Sequence, residues 1–121
     1  MKNDLLTKKC VPCEGGVPPL THEEVENLMG QVPDWSLFEE ASENLKKVGM
    51  GAKIFREYKF KDFIGAVNFV NNVAEIAEAE GHHPDIKINY NKVTLELTTH
   101  AIGGLSENDF IVAAKVDAMK F

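Results

Sequence analysis

The chain has 121 residues, of which 44% are hydrophobic and 26% are charged, and this length and composition predict a single soluble globular domain. Its formal net charge of -6 argues against nucleic acid or an anionic membrane surface as a partner. The sequence contains no apolar run of bilayer length and no recognisable secretory signal, so we expect a cytoplasmic protein.

Residues 1–19 are predicted to form an irregular N-terminal arm because they are rich in glycine and proline, and residues 20–121 then form the single domain. The arm carries Cys10 and Cys13 in the Cys-x-x-Cys spacing that redox dithiols and half zinc sites share. The sequence has no second cysteine pair to complete a zinc shell, and no predicted strand precedes the motif as in thioredoxin-like proteins. We therefore expect a reduced, locally structured arm rather than a redox or metal site.

The first helix has a complete set of start signals. Thr21 is the predicted N-cap, Glu24 closes a capping box with it, and Leu20 is placed to pack against Val25. Pro33 ends the helix. The predicted buried stripe consists of Val25, Leu28, Met29 and Val32.

Two strands are predicted after this helix. Residues 34–38 form a short strand that contains Trp35, the only tryptophan, as a core anchor. Residues 39–51 are rich in charge and indicate a loop or an extended hairpin, with room for a strand at residues 45–48. Residues 52–59 carry apolar side chains on both faces, which favours a central strand or one whose second face meets a partner.

The longest predicted helix begins after the N-cap residue Asp62 and ends at Gly81, the expected C′ residue, with Pro84 preventing any continuation. Its predicted inner stripe consists of Phe63, Ala66, Val67, Val70, Ala74 and Ala77. Further apolar residues lie outside this stripe, namely Ile64, Phe69, Val73 and Ile76. An apolar surface this wide indicates a face that another subunit covers.

A β-hairpin is predicted next, because apolar and polar residues alternate on both sides of Asn91-Lys92. A two-residue turn at Asn91-Lys92 pairs Tyr90 with Val93 and, further along, places His83 opposite His100. The apolar set lies on one face of this ribbon.

The last predicted helix begins at a capping box formed by Ser106 and Asp109 and runs through Lys120. Its inner side consists of Phe110, Ala113, Ala114 and Val116. The predicted fold class is therefore α+β, a four-stranded antiparallel sheet with three helices packed on one face in the order α-β-β-α-β-β-α.

Three of the four histidines, His82, His83 and His100, are predicted to converge on one pocket, with Glu78 one helical turn upstream. A metal site is disfavoured because adjacent residues of an extended chain point to opposite sides and because His-x-His and His-x-x-x-His spacings are missing. A purely structural role for the histidines stays open on spacing alone. Nucleophile elbows and phosphate loops are not found. Acid–base chemistry on a small polar heterocycle, such as dehydration or isomerisation, fits best and requires neither a metal nor a redox cofactor.

Over residues 20–120 the chain resembles the pterin-4a-carbinolamine dehydratases. The motif that carries the resemblance is Glu-x-x-x-His-His-Pro, an aromatic residue, Thr-His and a later Asp; these are Glu78, His82, His83, Pro84, Tyr90, Thr99, His100 and Asp109. Trp35 and the Phe60-Lys61-Asp62-Phe63 segment also match.

The resemblance implies dehydration of 4a-hydroxytetrahydrobiopterin, or a related reduced pterin, to the quinonoid dihydropterin, which recycles the cofactor of aromatic amino acid hydroxylases. His82 and His100 would be the general acid and base in either order, His83 would bind substrate, and Glu78 would orient His82. Further substrate-binding residues would be Pro84, Thr98, Thr99 and Asp109.

The resemblance also implies that the reduced pterin is the substrate and that no cofactor or metal is needed. Relatives form homodimers or homotetramers, so a homo-oligomer is expected. A rival interpretation is a catalytically silent dehydratase-like scaffold or assembly factor. Such proteins tend to lose the histidine set, whereas this chain keeps all three, and the enzyme is therefore favoured.

Overall fold

A computed structural model of the chain describes residues 4–10, 19–38 and 52–119. The elements are α1 (His22–Met29), β1 (Ser36–Phe38), β2 (Lys53–Lys59), α2 (Phe63–Glu80), β3 (Asp85–Asn89), β4 (Lys92–Leu97) and α3 (Glu107–Asp117). The strands are antiparallel and lie in the order β1-β2-β4-β3. The predicted α+β class and element order are confirmed, and β2 is central as expected. The strand allowed at residues 45–48 and the predicted position of Cys13 lie outside the described residues.

One face of the sheet is buried and the other faces solvent. Ile54 and Tyr58 on β2 pair with Leu97 and Val93 on β4, and all four side chains are in the core. The alternate residues of both strands are only partly buried or exposed. Side chains on one face of a sheet recur every second residue, so the apolar set is drawn to the helical layer.

Helix α1 begins as predicted and ends earlier than predicted. The Thr21 hydroxyl accepts the Glu24 N–H at 3.2 Å, and the Glu24 carboxylate accepts the Thr21 N–H at 2.9 Å, which completes the capping box. The helix stops at Met29, so Val32 is buried as predicted but lies in the turn that follows the helix.

Helix α2 has the predicted caps but a rotated inner face. Its first turn is capped by Asp62, whose Oδ1 accepts the Gly65 N–H at 2.8 Å, and Gly81 ends it in the left-handed region at φ 65°. The buried residues are Ala66, Phe69, Val73 and Ala77. The prediction that Phe63 and Ala74 face inward is wrong, because a helix that is apolar on several sides does not reveal by spacing alone which side meets the sheet.

The hairpin of β3 and β4 turns at Tyr90-Asn91 and not at Asn91-Lys92. Ile88 therefore pairs with Val93, two residues away from the predicted register. Asn91 is held at the end of β2, since its side-chain amide donates to the Phe60 carbonyl at 2.9 Å and its own carbonyl accepts the Phe60 N–H at 2.8 Å. A two-residue shift preserves which side chains share a face, so the predicted apolar face is correct.

Helix α3 ends at Asp117, earlier than predicted, and this residue ties the helix to the sheet. The Asp117 carboxylate accepts hydrogen bonds from Trp35 Nε1 at 2.9 Å, Arg56 Nη1 at 2.8 Å and the Tyr58 hydroxyl at 2.6 Å. Burial, and then the hydrogen bond to Asp117, raises the pKa of Tyr58 well above its ordinary value. Trp35 is thus the core anchor that the sequence predicts.

Part of the predicted irregular arm belongs to the packed domain. Asp4–Thr7 is a 3-10 helix, and Leu5 is fully buried in the core. Among the residues that the structure describes, no helix has both the length and the apolar character needed to cross a membrane.

Candidate active site

An open cavity of about 540 Å³ lies where the end of α2, the end of β4 and the start of α3 meet. His82, His83 and His100 all line it, together with Thr98 and Thr99. The predicted convergence of the three histidines is therefore confirmed. Small-molecule sites commonly occupy about 300–1,000 Å³, so the cavity is large enough for a flat bicyclic ligand.

The end of helix α2 sets the positions of the first two histidines. Gly81 adopts the left-handed conformation, and the His82 N–H still bonds back to the Ala77 carbonyl at 3.2 Å. The chain then runs extended to β3. In consequence the His82 side chain turns inward and is 13% exposed, whereas that of His83 is 59% exposed.

His82 is held by Asp109, which is fully buried. His82 Nε2 lies 2.6 Å from Asp109 Oδ1. The other carboxylate oxygen accepts hydrogen bonds from the Thr99 hydroxyl at 2.8 Å and from the Ser106 N–H at 2.9 Å. When this carboxylate is ionised it can only accept hydrogen bonds, and the hydrogen shared with His82 then belongs to Nε2.

Glu78 does not orient His82, in contrast to the expectation from the sequence. Its Oε2 lies 2.5 Å from Nε2 of His83, and the two side chains are 77% and 59% exposed. Gly81 is the physical reason: its left-handed turn directs His82 toward α3 and brings the next residue over the last turns of α2. Ion pairs this exposed contribute little energy, and of these two side chains only His83 lines the cavity.

The remaining predicted site residues differ in their access to the cavity. His100 begins the 3-10 helix His100–Ile102, is exposed, and has no hydrogen-bond partner for its ring among the described residues. The Thr98 hydroxyl donates to the Ala52 carbonyl at 2.8 Å. Asp109 and Pro84 do not line the cavity within the described part of the chain, and Asp109 acts on it through His82.

Sequence reasoning missed three cavity residues that have polar or reactive side chains, Cys10, Glu80 and Asn108. The Cys10 N–H donates to Glu80 Oε1 at 2.9 Å, and its thiol lies 3.6 Å from the Asn108 carbonyl oxygen. Burial, followed by the charge of Glu80, raises the pKa of Cys10 to about 12. Glu80 is two residues from His82 and could have been suspected, whereas nothing in the local pattern of the arm indicates where Cys10 packs.

Glu80 keeps its charge although its side chain is only 6% exposed. Burial favours the neutral acid, but hydrogen bonds from Lys115 and from the Cys10 backbone outweigh it and hold the pKa of Glu80 below its ordinary value. Lys115 Nζ lies 2.7 Å from Glu80 Oε2. Within the described segments, no three His, Cys, Asp or Glu side chains are arranged to hold a metal ion.

The fold and the cavity define a small α+β protein with a histidine-lined pocket next to a buried carboxylate. The family described as "Pterin 4 alpha carbinolamine dehydratase" matches residues 18–119 of the chain. The protein belongs to this family.

Relatives match over nearly the whole chain. A protein of Nitrosospira multiformis is 49% identical over 97% of this chain and 93% of its own length, and one of Halorhodospira halophila is 49% identical over 95% and 96%. Both carry the name "Putative pterin-4-alpha-carbinolamine dehydratase". A crystal structure from Brucella melitensis, described as a transcriptional coactivator/pterin dehydratase, superposes with a TM-score of 0.69 at 31% identity and covers 83% of this chain and 96% of that one.

Proposed function

We propose that the protein dehydrates 4a-hydroxytetrahydrobiopterin, or a related 4a-hydroxytetrahydropterin, to the quinonoid dihydropterin by histidine acid–base catalysis. The observation that carries the proposal is one cavity lined by His82, His83 and His100, in which Asp109 holds the first of these. Membership of the pterin-4a-carbinolamine dehydratase family supports the reaction class.

The proposed reaction requires two proton transfers and no electron transfer to or from an external partner. A general acid protonates the hydroxyl on C4a, so that the C4a–O bond breaks and water leaves. A general base takes the hydrogen from the neighbouring ring nitrogen, N5, and the C4a=N5 double bond forms. Imidazole suits both transfers near neutral pH, and general acid–base catalysis contributes about 10²- to 10⁴-fold.

His82 and His100 are the proposed acid–base pair. Asp109 fixes the His82 ring and stabilises its positively charged form, whether that form exists before the reaction as the acid or is created by it as the base. The ring of His100 has no hydrogen-bond partner within the described residues and is open to the cavity. A bound ring between the two imidazoles would receive a proton from one and lose a proton to the other.

The proposed binding residues are His83 at the rim, with Thr98 and Thr99, whereas Pro84 does not line the cavity. The Thr99 hydroxyl already donates a hydrogen bond to Asp109, so Thr99 contributes by fixing that carboxylate. His83 is exposed and paired with Glu78, which suits it to contact a polar edge of the substrate. Neither residue would carry a proton in the chemical step.

The wider setting follows from the same proposal. The reduced pterin is the substrate, a further cofactor is not required, and the product re-enters the redox cycle of an aromatic amino acid hydroxylase in the cytoplasm. The alternative, a catalytically silent scaffold, predicts a pocket without an acid–base pair. The retained His82–Asp109 contact favours the enzyme.

We also propose a homo-oligomer. Phe63 and Ile64 at the start of α2 are 49% and 65% exposed, and Ile86 and Ile88 lie on the edge strand β3. Exposed apolar side chains and an unpaired strand edge are the features by which copies of one chain associate. Light scattering over a range of concentrations tests this, with a monomer at all concentrations as the contrary result.

The experiment that tests the enzyme is a stopped-flow measurement of 4a-hydroxytetrahydropterin dehydration, with and without a metal chelator. We expect acceleration by the wild-type protein that the chelator leaves unchanged. His82→Ala combined with His100→Ala should abolish the acceleration while circular dichroism shows an intact fold. If the wild-type protein gives only the spontaneous rate, the scaffold interpretation replaces this one.

The single variants assign the two roles. Loss of the general base removes the acidic limb of the pH–rate profile, and loss of the general acid removes the basic limb. The profiles of His82→Ala and His100→Ala should therefore lose opposite limbs. Two variants that lose the same limb would contradict the pairing.

A further inference from the structure

Residues 4–10 are bonded to several parts of the domain, although the sequence predicts an irregular arm. Leu5 is buried in the core, and its N–H donates to Gln31 Oε1 at 3.4 Å. Lys8 forms a surface ion pair of 2.8 Å with a glutamate at the start of α3. Cys10, at the far end of the segment, lines the cavity that holds the histidines. The segment is thus fixed at both ends.

Glu80 holds the Cys10 end. One carboxylate oxygen accepts the Cys10 N–H at 2.9 Å, and the other bonds to Lys115 Nζ at 2.7 Å. A carboxylate this deeply buried is stable only when both oxygens have partners. A single side chain therefore connects the end of α2, the body of α3 and the N-terminal segment.

The contacts of Cys10 reach both segments that carry the His82–Asp109 pair. Glu80 precedes His82 by two residues. The Cys10 thiol lies 3.6 Å from the carbonyl oxygen of Asn108, the residue directly before Asp109. A displacement of Cys10 would therefore release the chain next to each member of the pair.

We propose that Cys10, at the end of residues 4–10, forms a fixed part of the wall of the pterin cavity and that Glu80 is the positioning residue that holds it in place. The kinetic part of this inference rests on the proposed dehydratase function. With the wall released, the bound ring and His82 can shift relative to each other. The ring is then bound less well, so a higher KM is expected without any change in the acid–base residues themselves.

Two substitutions of Glu80 test the role. Glu80→Ala removes the acceptor for the Cys10 N–H, whereas Glu80→Gln retains an amide oxygen that can accept it. For the alanine variant we expect faster hydrogen exchange at the Cys10 amide, faster tryptic cleavage after Lys8 and Lys9, and a KM about 10-fold higher or more because a contact to the bound ring is lost. The glutamine variant offers one acceptor oxygen to two donors, Cys10 N–H and Lys115, so it should recover part of all three effects and lie between the alanine variant and the wild type.

Lys8→Ala is the matched control on the same segment. Its ion pair is 45% exposed on both sides, so its loss should leave KM and the cleavage after Lys9 unchanged. Thermal unfolding verifies that each variant is folded. If Glu80→Ala does not fold, Cys10→Pro removes the same N–H from the other partner, and Cys10→Ala, which keeps the N–H, is its comparison. Cleavage after Lys8 and KM are the readouts for this pair, because trypsin does not cleave before proline and proline has no amide hydrogen to exchange.

Two results would overturn the inference. A folded Glu80→Ala protein in which the Lys8–Lys9 site stays as protected as in the wild type means that Glu80 does not hold the segment. A variant with a released segment and an unchanged KM means that the segment is not a wall of the site. A wild-type protein without dehydratase activity refutes the proposed function. Proteolysis and amide exchange need no substrate, so these two measurements still decide whether Glu80 holds the segment.

Discussion

Asp109→Asn tests the arrangement around His82 most directly. The Asp109 carboxylate is fully buried and lies 2.6 Å from His82 Nε2, and it also accepts hydrogen bonds from Thr99 and Ser106 at 2.8 and 2.9 Å. The asparagine amide has nearly the same shape but offers a donor where the carboxylate can only accept. His82 must then change tautomer or lose this bond, and its charged form loses its counter-ion. We expect kcat to fall about 10²- to 10⁴-fold.

The fold should survive this change. The new amide oxygen can still accept from Thr99 and Ser106, so the cost in unfolding free energy is about 1–3 kcal/mol. Stopped-flow dehydration and thermal unfolding at one pH measure the two effects separately. Glu78→Gln is the matched control, because that carboxylate is 77% exposed and should matter little. A folded Asp109→Asn protein with wild-type kcat, or an equal loss in Glu78→Gln, would refute the reasoning.

Three further predictions concern the surroundings of the site. Gly81→Ala should lower the unfolding free energy by about 1–2 kcal/mol through backbone strain alone, because φ is 65° and an added Cβ meets no atom within 4 Å. Gly81→Asn should cost less, and equal chemical-denaturation midpoints for the two variants would contradict this. The folded-state pKa of Glu80 is depressed, so the stabilising effect of Glu80 is complete above its unfolded pKa of about 4.3 and is lost as the pH falls through the folded pKa. The unfolding free energy of Glu80→Gln should therefore fall less steeply between pH 7 and 3 than that of the wild type. The pKa of Cys10 is raised to about 12, so the Cys10 thiol of a Cys13→Ser variant should react with a disulfide reagent at pH 8 far more slowly than a free thiol does. Labelling of Cys10 at the free-thiol rate would contradict this.

The local signals in the sequence predict the fold well. Thr21, Asp62 and Gly81 occupy the cap positions that their side chains or backbone preferences indicate. These signals are short-range, because a cap depends on hydrogen bonds within one turn of the chain. The alternation of side chains between the two faces of each strand is equally local. The apolar face of the hairpin is therefore predicted correctly even though its register is not.

Features set by distant contacts escape the sequence. The turn falls at Tyr90-Asn91 because Asn91 bonds to Phe60, a residue 31 positions away. Phe69 and Val73 face the core because of how α2 lies on the sheet, which helical spacing cannot reveal when several sides are apolar. Cys10 reaches the cavity through bonds to Glu80 and to α3, contacts that have no counterpart in local sequence pattern.

Glu78 pairs with His83 and not with His82 because of the backbone conformation of a single residue. Four-residue spacing on a continuous helix would place Glu78 beside His82. Gly81 breaks that helix at φ 65°, so helical spacing no longer applies beyond it. His82 then points to α3, where a buried carboxylate is available, and Glu78 is left with exposed His83. Because a hydrogen-bonded charge is far more effective when it is buried, the role that we propose in catalysis falls to Asp109, 27 residues from His82, and not to Glu78 in α2.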